Sequence, residues 1–301
     1  MRKYMLHNRT LAVIIIIALA LGICSCAQSK PRPQSQITDV VQVKDNTYEC
    51  QFEGMTFKFM LFLPEKMDSN TPLLLMLPGL GNNSSAFKLQ THMDEAACPR
   101  GYAVCYVQPA QGMGSKGWDC GLMDPQEVDS LDYLVNLAIY LQDEYGLSKT
   151  KAFAAGFSNG GFMAHRVAME ASDTFLAVAS VAGMMTATVW DDRPDKMSIG
   201  VLEIYGTKDN VVPQNGTGTA VASPFPAIEL VMDYWASANG LGSSSVEALS
   251  DKAEITKYSA LFNKTQVWSV KIEGGAHEWP SEEIAGFNTN ELILDYFDMF
   301  C

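Results

Sequence analysis

Apolar positions along this chain follow three patterns, and each pattern predicts a different element. In Thr47–Phe52 and Thr56–Leu63, joined at Glu53-Gly54, apolar and polar positions roughly alternate; Phe57, Phe59, Leu61 and Leu63 share one face, with Lys58, Met60 and Phe62 on the other. A period of two with one mixed face predicts half-buried antiparallel strands at a sheet edge. A second pattern is apolar throughout or nearly so, as in Pro72–Leu77 and Tyr102–Val107; Lys151–Ala155, Ala177–Ala182, Ile199–Tyr205 and Gln266–Ile272 also read as strands. Short unbroken runs of this kind predict strands buried on both faces of a parallel sheet. The third pattern has helical spacing. Pro125–Tyr145 places Val128, Leu131, Leu134, Leu137, Ala138 and Leu141 on one side, and Ser84–Ala97, Gly160–Ala171, Pro224–Asn239 and Glu282–Phe300 also read as helices. Strands alternating with helices predict an α/β domain, a mostly parallel twisted sheet with helices on both faces, over residues 44–301.

The N-terminus reads differently. Arg2, Lys3 and Arg9 precede an unbroken apolar run of thirteen residues, Leu11 to Ile23. A bilayer span takes about 20 residues, so the run suits the core of a secretory signal. Ile23-Cys24-Ser25-Cys26-Ala27 resembles a bacterial lipoprotein cleavage box. Cys26 is the better candidate for lipidation than Cys24, because Ser25 is small and Ile23 is not. Residues 1–25 are expected to be a signal peptide and residues 26–43, rich in Gln, Ser and Pro, a flexible tether. The expected location is the outer membrane or cell surface as a lipoprotein, otherwise secreted or periplasmic, with membrane contact only through the lipid.

Composition narrows the partners. A net charge of −13 without a basic cluster argues against nucleic acid, whose phosphates need lysine and arginine stripes. Export permits disulfides. Beyond Cys26 the cysteines are Cys50, Cys98, Cys105, Cys120 and Cys301, an odd number, so at least one stays unpaired within the chain. Cys105 reads as a buried thiol, and Cys50 with Cys301 could staple the two ends of the domain. No Cys-x-x-Cys or histidine-rich spacing suggests zinc, and no cofactor is expected.

One apolar run ends in candidate chemistry. Lys151–Ala155 meets Gly156-Phe157-Ser158-Asn159-Gly160-Gly161, and a helical pattern follows at once. Glycines flanking one serine between strand and helix fit a nucleophile elbow, the sharp turn of the α/β-hydrolases. Serine is a poor nucleophile at neutral pH and needs a histidine to take its proton and an acid to orient that histidine. His92 lies in a predicted helix. His165 is seven residues after Ser158 and points away from the turn. His277 sits in a glycine-rich loop just past the last predicted strand, where catalytic residues of such sheets gather. Asp209 follows the strand Ile199–Tyr205 and lies between serine and histidine, whereas Asp191, Asp192 and Asp195 precede that strand in a polar stretch. Ser158, Asp209 and His277 are therefore the candidate nucleophile, acid and base. Backbone N–H groups of Asn159 and of Leu80, in the Gly79-Leu80-Gly81 loop after the first long buried strand, are the candidate oxyanion donors. Trp118 and Trp279 are candidates to line the acyl or alcohol pocket, unless its loop turns Trp279 into the core. Met184 and Met185 read as core filling.

Leu-Pro-Gly-Leu-Gly-Asn, Gly-Phe-Ser-Asn-Gly-Gly, Gly-Thr-x-Asp-x-Val-Val-Pro and Gly-Gly-x-His-x-Trp-Pro occur here in that order. Together they resemble the polyhydroxybutyrate depolymerase and feruloyl esterase group, which includes carbohydrate esterase family 1, over roughly residues 48–300. The resemblance implies an exported serine esterase acting on feruloyl or acetyl esters of plant cell-wall oligosaccharides, or on short polyester chains. It carries nucleophile, acid and base onto Ser158, Asp209 and His277. Three positions depart from the group. Pro78-Gly79 stands where many members have His-Gly, Leu241 where a cysteine often follows Trp235-Ala236-Ser237-Ala238-Asn239-Gly240, and Ser281 where glycine is common after Trp279-Pro280. The expected reaction is hydrolysis of carboxylic esters through an acyl-enzyme. The alternatives are a polyhydroxyalkanoate depolymerase, a peptidase on the same fold, or a non-catalytic glycan-binding protein. No stretch reads as a β-propeller or other gating domain of the kind oligopeptidases carry, and a complete triad has no use in a binder.

Overall fold

The computed structural model describes residues 32–109, 117–122, 127–216 and 225–301. Its strands are β1 (Thr38–Lys44), β2 (Thr47–Phe52), β3 (Met55–Phe62), β4 (Leu73–Leu77), β5 (Ala103–Val107), β6 (Ala152–Phe157), β7 (Ala177–Val181), β8 (Gly200–Gly206), β9 (Ser243–Ala248), β10 (Ala253–Ala260) and β11 (Asn263–Ile272). Its helices are α1 (Ser84–Thr91), α2 (Met93–Ala97), α3 (Ser130–Glu144), α4 (Asn159–Glu170), α5 (Ala187–Asp191), α6 (Ile228–Ala238), α7 (Glu282–Ala285) and α8 (Thr289–Asp298). The described strands form one sheet in the order β1-β2-β3-β5-β4-β6-β7-β8-β11-β10-β9. The six central strands, β5 to β11 in that order, run parallel. Antiparallel ribbons flank them on both sides.

Strand β4 shows why a continuous apolar run suits the centre. All five side chains are fully buried. Leu73, Leu75 and Leu77 enter one core, with Leu134 and Leu137 of α3, Phe162 of α4 and Trp235 of α6. Leu74 and Met76 enter the other, with Phe87 of α1 and Leu294 and Phe297 of α8. Each such burial contributes about 1.5–3 kcal/mol. Phe153 of β6 stacks on Phe297 at 4.7 Å between centroids, which docks α8 on the sheet.

The connections reverse at the centre of the sheet. From β4 the chain passes through α1 and α2 to β5 on one side, then returns through α3 to β6 on the other side of β4. A crevice opens beyond the carboxyl ends of strands at such a switch point. The loops after β4 and β6 both begin there.

Several elements differ from the sequence expectation. The sheet starts earlier than residue 44, because Thr38–Lys44 pairs with β2 rather than belonging to the tether. Ser84–Ala97 is two helices: His92 takes a left-handed conformation (φ 51°, ψ 29°), which breaks the ladder of bonds between them. α3 begins at Ser130, where the Asp129 side chain accepts from Leu131 N–H. The closing helix is split by Gly286 at φ 73°, and Asn288 caps α8. β9 and β10 were not expected; β9 is exposed along its whole length and Ser-rich, so it carries no apolar period. Cys50, Cys98, Cys105, Cys120 and Cys301 are all thiols. The Cys50–Cys301 staple is absent, since Cys50 is buried in β2 while Cys301 is exposed beside the Tyr102 hydroxyl. The signal peptide, Cys24, Cys26 and the first part of the tether lie outside the described residues. No helix among the described residues is long and apolar enough to cross a membrane.

Candidate active site

Ser158 sits between β6 and α4 at φ 54° and ψ −119°. That conformation costs a non-glycine residue about 1–3 kcal/mol and persists only where its surroundings enforce it. Here Ser158 N–H donates to Val181 O at 2.9 Å, and the turn is too tight for side chains on either flank. A Cβ on Gly156 would lie 2.0 Å from Gly160 O, and one on Gly160 would lie 2.0 Å from Leu77 O.

The candidate base and acid come from neighbouring parallel strands. Asp209 follows β8 and His277 follows β11, and the two loops are stitched together. Thr207 N–H donates to Ile272 O at 3.0 Å and Lys208 N–H to Gly275 O at 2.8 Å. The Thr207 hydroxyl accepts from Gly274 N–H at 2.8 Å and donates to Glu273 Oε1 at 3.2 Å. Gly206 lets the loops close up, since a Cβ there would fall 2.2 Å from Gly275 O.

The structure brings the three residues into one chain of contacts. His277 Nε2 lies 2.8 Å from Ser158 Oγ, and His277 Nδ1 lies 2.7 Å from Asp209 Oδ2. Asp209 is 3 % exposed. Its other oxygen, Oδ1, accepts from Val211 and Val212 N–H, both at 2.8 Å. The carboxylate can only accept, so Nδ1 carries the proton and Nε2 presents its lone pair to the serine hydroxyl. The Phe157 ring packs against the imidazole at 5.1 Å between centroids.

The same geometry predicts the effect of Asp209→Asn. The two backbone N–H groups hold the amide oxygen, so the amide NH₂ faces His277 Nδ1. The imidazole must then accept at Nδ1 and is protonated at Nε2, where it cannot take the serine proton. Turnover should fall about 10⁴-fold while the folded structure is retained. Near-normal rates in a folded Asp209→Asn variant would contradict this arrangement.

The Gly79-Leu80 loop stands beside the elbow: a Cβ on Gly79 would be 3.4 Å from Ser158 Cβ. Leu80 and Asn159 therefore flank the serine from the loop after β4 and the first position of α4. The two tryptophans are placed differently. Trp118 is fully buried, with its Nε1–H donating to Pro78 O at 2.9 Å, which corrects the expectation that it lines the pocket. Trp279 is turned toward the core, edge-on to Phe87 at 5.7 Å, and its Nε1–H donates to Asn290 Oδ1 at 3.2 Å. That contact secures the far end of the His277 loop.

The other two histidines among the described residues stand apart from Ser158. His92 is exposed beside Glu95. His165 is fully buried in α4, accepting from the Trp235 indole at 3.2 Å and facing Glu203 Oε2 at 2.9 Å. Burial holds His165 far below the usual imidazole range, at about 3, and pushes Glu203 well above the usual carboxylate range. Sequence reasoning missed Thr207, Phe157 and Cys120. Thr207 and Phe157 were visible in the motifs around Asp209 and Ser158, but nothing in the sequence tied Cys120 to the site.

Comparisons with known proteins agree on the scaffold. A model of the prolyl oligopeptidase family matches residues 89–227, a span that contains Ser158 and Asp209 but not His277. NocK of Nocardia uniformis subsp. tsuyamanensis, a protein named as an esterase, is 29% identical over 227 residues, covering 69% of this chain and 65% of its own length. Feruloyl esterase B of Piromyces equi is 24% identical over 217 residues, covering 70% of this chain and 40% of its own length. The chain thus spans less than two thirds of either relative. Among solved structures, an acetyl xylan esterase from Aspergillus awamori superposes with a TM-score of 0.60 at 12% identity, over 81% of this chain and 94% of that one. The protein has the α/β-hydrolase fold, with Ser158, Asp209 and His277 meeting at the switch point of its sheet.

Proposed function

We propose that the protein is an exported serine esterase that hydrolyses carboxylic esters through an acyl-enzyme, with feruloyl or acetyl esters on plant polysaccharide fragments as its substrates. The observation that carries this reading is the relay of 2.8 and 2.7 Å contacts from Ser158 through His277 to Asp209. In the first half-reaction Ser158 Oγ attacks the ester carbonyl as its proton passes to His277 Nε2. The Leu80 and Asn159 N–H groups hold the oxyanion, and His277 returns the proton to the departing alcohol. In the second half-reaction water attacks the acyl-enzyme, giving its proton to His277, and the carboxylic acid leaves as Ser158 is reprotonated. Asp209 holds the imidazole tautomer throughout and stabilises the imidazolium. No step requires a metal or cofactor. Export, and a lipid on Cys26, belong to the proposal on the strength of the N-terminal residues.

The feruloyl esterase name of the Piromyces equi relative supports the substrate class. Amide hydrolysis is the second reading, favoured by the prolyl oligopeptidase match over residues 89–227. A panel of methyl ferulate, acetylated xylan, hydroxybutyrate oligomers and an aminoacyl p-nitroanilide separates these. Ferulate or acetylated xylan should be turned over with kcat/KM of about 10⁴ M⁻¹s⁻¹ or more, the lower end of ordinary enzyme efficiencies. Preference for the hydroxybutyrate oligomers would move the assignment to polyester depolymerisation, and preference for the anilide would move it to a peptidase.

A further inference from the structure

The segment from Gly117 to Leu122 contributes no group to the proton relay, yet it is tied to both sides of the site. The Trp118 side chain donates to Pro78 O at 2.9 Å, one residue before Gly79-Leu80. Its backbone N–H donates to Asn159 Oδ1 at 2.6 Å. The Asn159 side-chain amide then donates to Cys120 Sγ at 3.1 Å. Trp118 and Cys120 are fully buried and Asn159 is 3 % exposed. The segment is itself anchored from three other elements. Thr186, the N-cap of α5, donates to Cys120 O at 2.9 Å, Ser130 of α3 accepts from Asp119 N–H at 3.0 Å, and Arg166 of α4 donates to Asp119 O at 2.6 Å.

These contacts have one geometric result. Pro78 O and the Asn159 side chain belong to the two backbone stretches that carry the candidate oxyanion donors, and Trp118 joins them through one residue. We infer that Trp118, together with the Asn159 side chain, is a positioning residue for the oxyanion hole, fixing the Gly79-Leu80 loop and the start of α4 at the spacing where the Leu80 and Asn159 N–H groups converge. This rests on the esterase reading. It also accounts for Pro78. Proline has no N–H and a fixed φ, so the peptide before Gly79 is held by its own ring and by a single bond to its carbonyl. The indole Nε1–H supplies that bond. Oxyanion donors act by being preorganised at the right distance, so a small error in spacing is felt mainly in the transition state.

Trp118→Phe keeps an aromatic ring but removes the Nε1 donor and part of the buried indole volume, while Asn159→Ala cuts the opposite end of the clamp and leaves both backbone N–H groups in place. With p-nitrophenyl acetate, each variant should lower kcat about 10- to 100-fold with KM within about 3-fold of wild type, as expected when donors are misplaced rather than removed. Phenylboronic acid, whose tetrahedral serine adduct fills the hole, should bind more weakly by a similar factor. A fluorophosphonate probe should label both variants to the same final stoichiometry as wild type, but more slowly. Unchanged kcat in either folded variant would overturn the clamp. A rise in KM with kcat intact would mean that the clamp shapes substrate binding rather than the oxyanion hole, and would overturn the inference. A fall in labelling stoichiometry that accounts for the whole loss of kcat would make its role merely structural. If Trp118→Phe does not fold, Asn159→Ala carries the test alone. Wild-type protein that the probe does not label would remove the esterase reading and the clamp with it. Labelling of wild type with unaltered rates in the variants would remove the clamp only.

Discussion

Replacing Ser158 with alanine is expected to lower kcat on p-nitrophenyl acetate roughly 10⁶-fold, close to the loss seen when a serine hydrolase is deprived of its nucleophile. Only Oγ is removed. The left-handed turn at φ 54° stays, because the bond from residue 158 N–H to Val181 O and the contacts of Gly156 and Gly160 do not involve the side chain. His277 Nε2 loses its 2.8 Å partner but remains held through Nδ1 by Asp209. The fold and its stability should therefore be nearly unchanged, which makes the substitution a clean test of the chemistry. The measurement is steady-state hydrolysis beside a thermal melt. A folded alanine variant retaining about a hundredth of the wild-type rate or more would mean that another group is the nucleophile.

Gly160→Ala should be severely disruptive for a single added methyl group. An alanine Cβ at this position would lie 2.0 Å from Leu77 O and 2.7 Å from Pro78 O. Both are backbone atoms, at the end of a fully buried strand and in the loop that follows it, so neither can turn aside as a side-chain tip would. Helix α4 must move away from β4, and the Asn159 N–H moves with it. Overpacking of a rigid site usually costs about 1–3 kcal/mol, and this contact belongs at or beyond the top of that range. The activity should fall as well, by about 100-fold, because the two oxyanion donors are driven apart. Urea denaturation reads the first effect and kcat the second. Gly242→Ala is the matched control, since a Cβ there has nothing within 4 Å. Equal denaturation midpoints for the two alanine variants would show that the elbow is softer than its contacts imply.

The parts of this protein legible in its sequence are those where one physical demand acts alone. The runs at β4, β5 and β6 are apolar on both faces because core covers both sides, and their short length marks them as strands. Gly156 and Gly160 mark the elbow because a Cβ has no room. His277 stood out because few histidines were available and only one followed a strand. What escaped notice had competing demands or none. The β9 strand is polar and exposed along its length, so no face must be apolar, and Ser243–Ala248 reads as a loop until its register with β10 is seen; β10 buries only Ala253 and Ile255 among its side chains. The break at His92 depends on one residue adopting φ 51°, which histidine tolerates without advertising it. Trp118 looked like a pocket wall because it is aromatic and lies in an irregular stretch. Its burial depends on a carbonyl 40 residues earlier in the chain, a relation that local pattern cannot express.

The reactive trio also reports on how the chain must assemble. Ser158 and His277 are 119 residues apart and Asp209 and His277 are 68 apart, and no local segment holds any two of them together. Their spacing depends on β8 lying between β7 and β11, and β11 is the last strand of the chain; β9 and β10, which precede it in sequence, join the sheet only through it. Contacts of such long sequence separation form late, once loop closure has been offset by the pairing of whole strands. During synthesis the base is therefore the last member of the trio to be set in place, and a chain stopped short of β11 would hold a strained serine with nothing to activate it. On the esterase reading, activity would register completed assembly of the whole parallel core, and an active-site titration would count fully folded molecules.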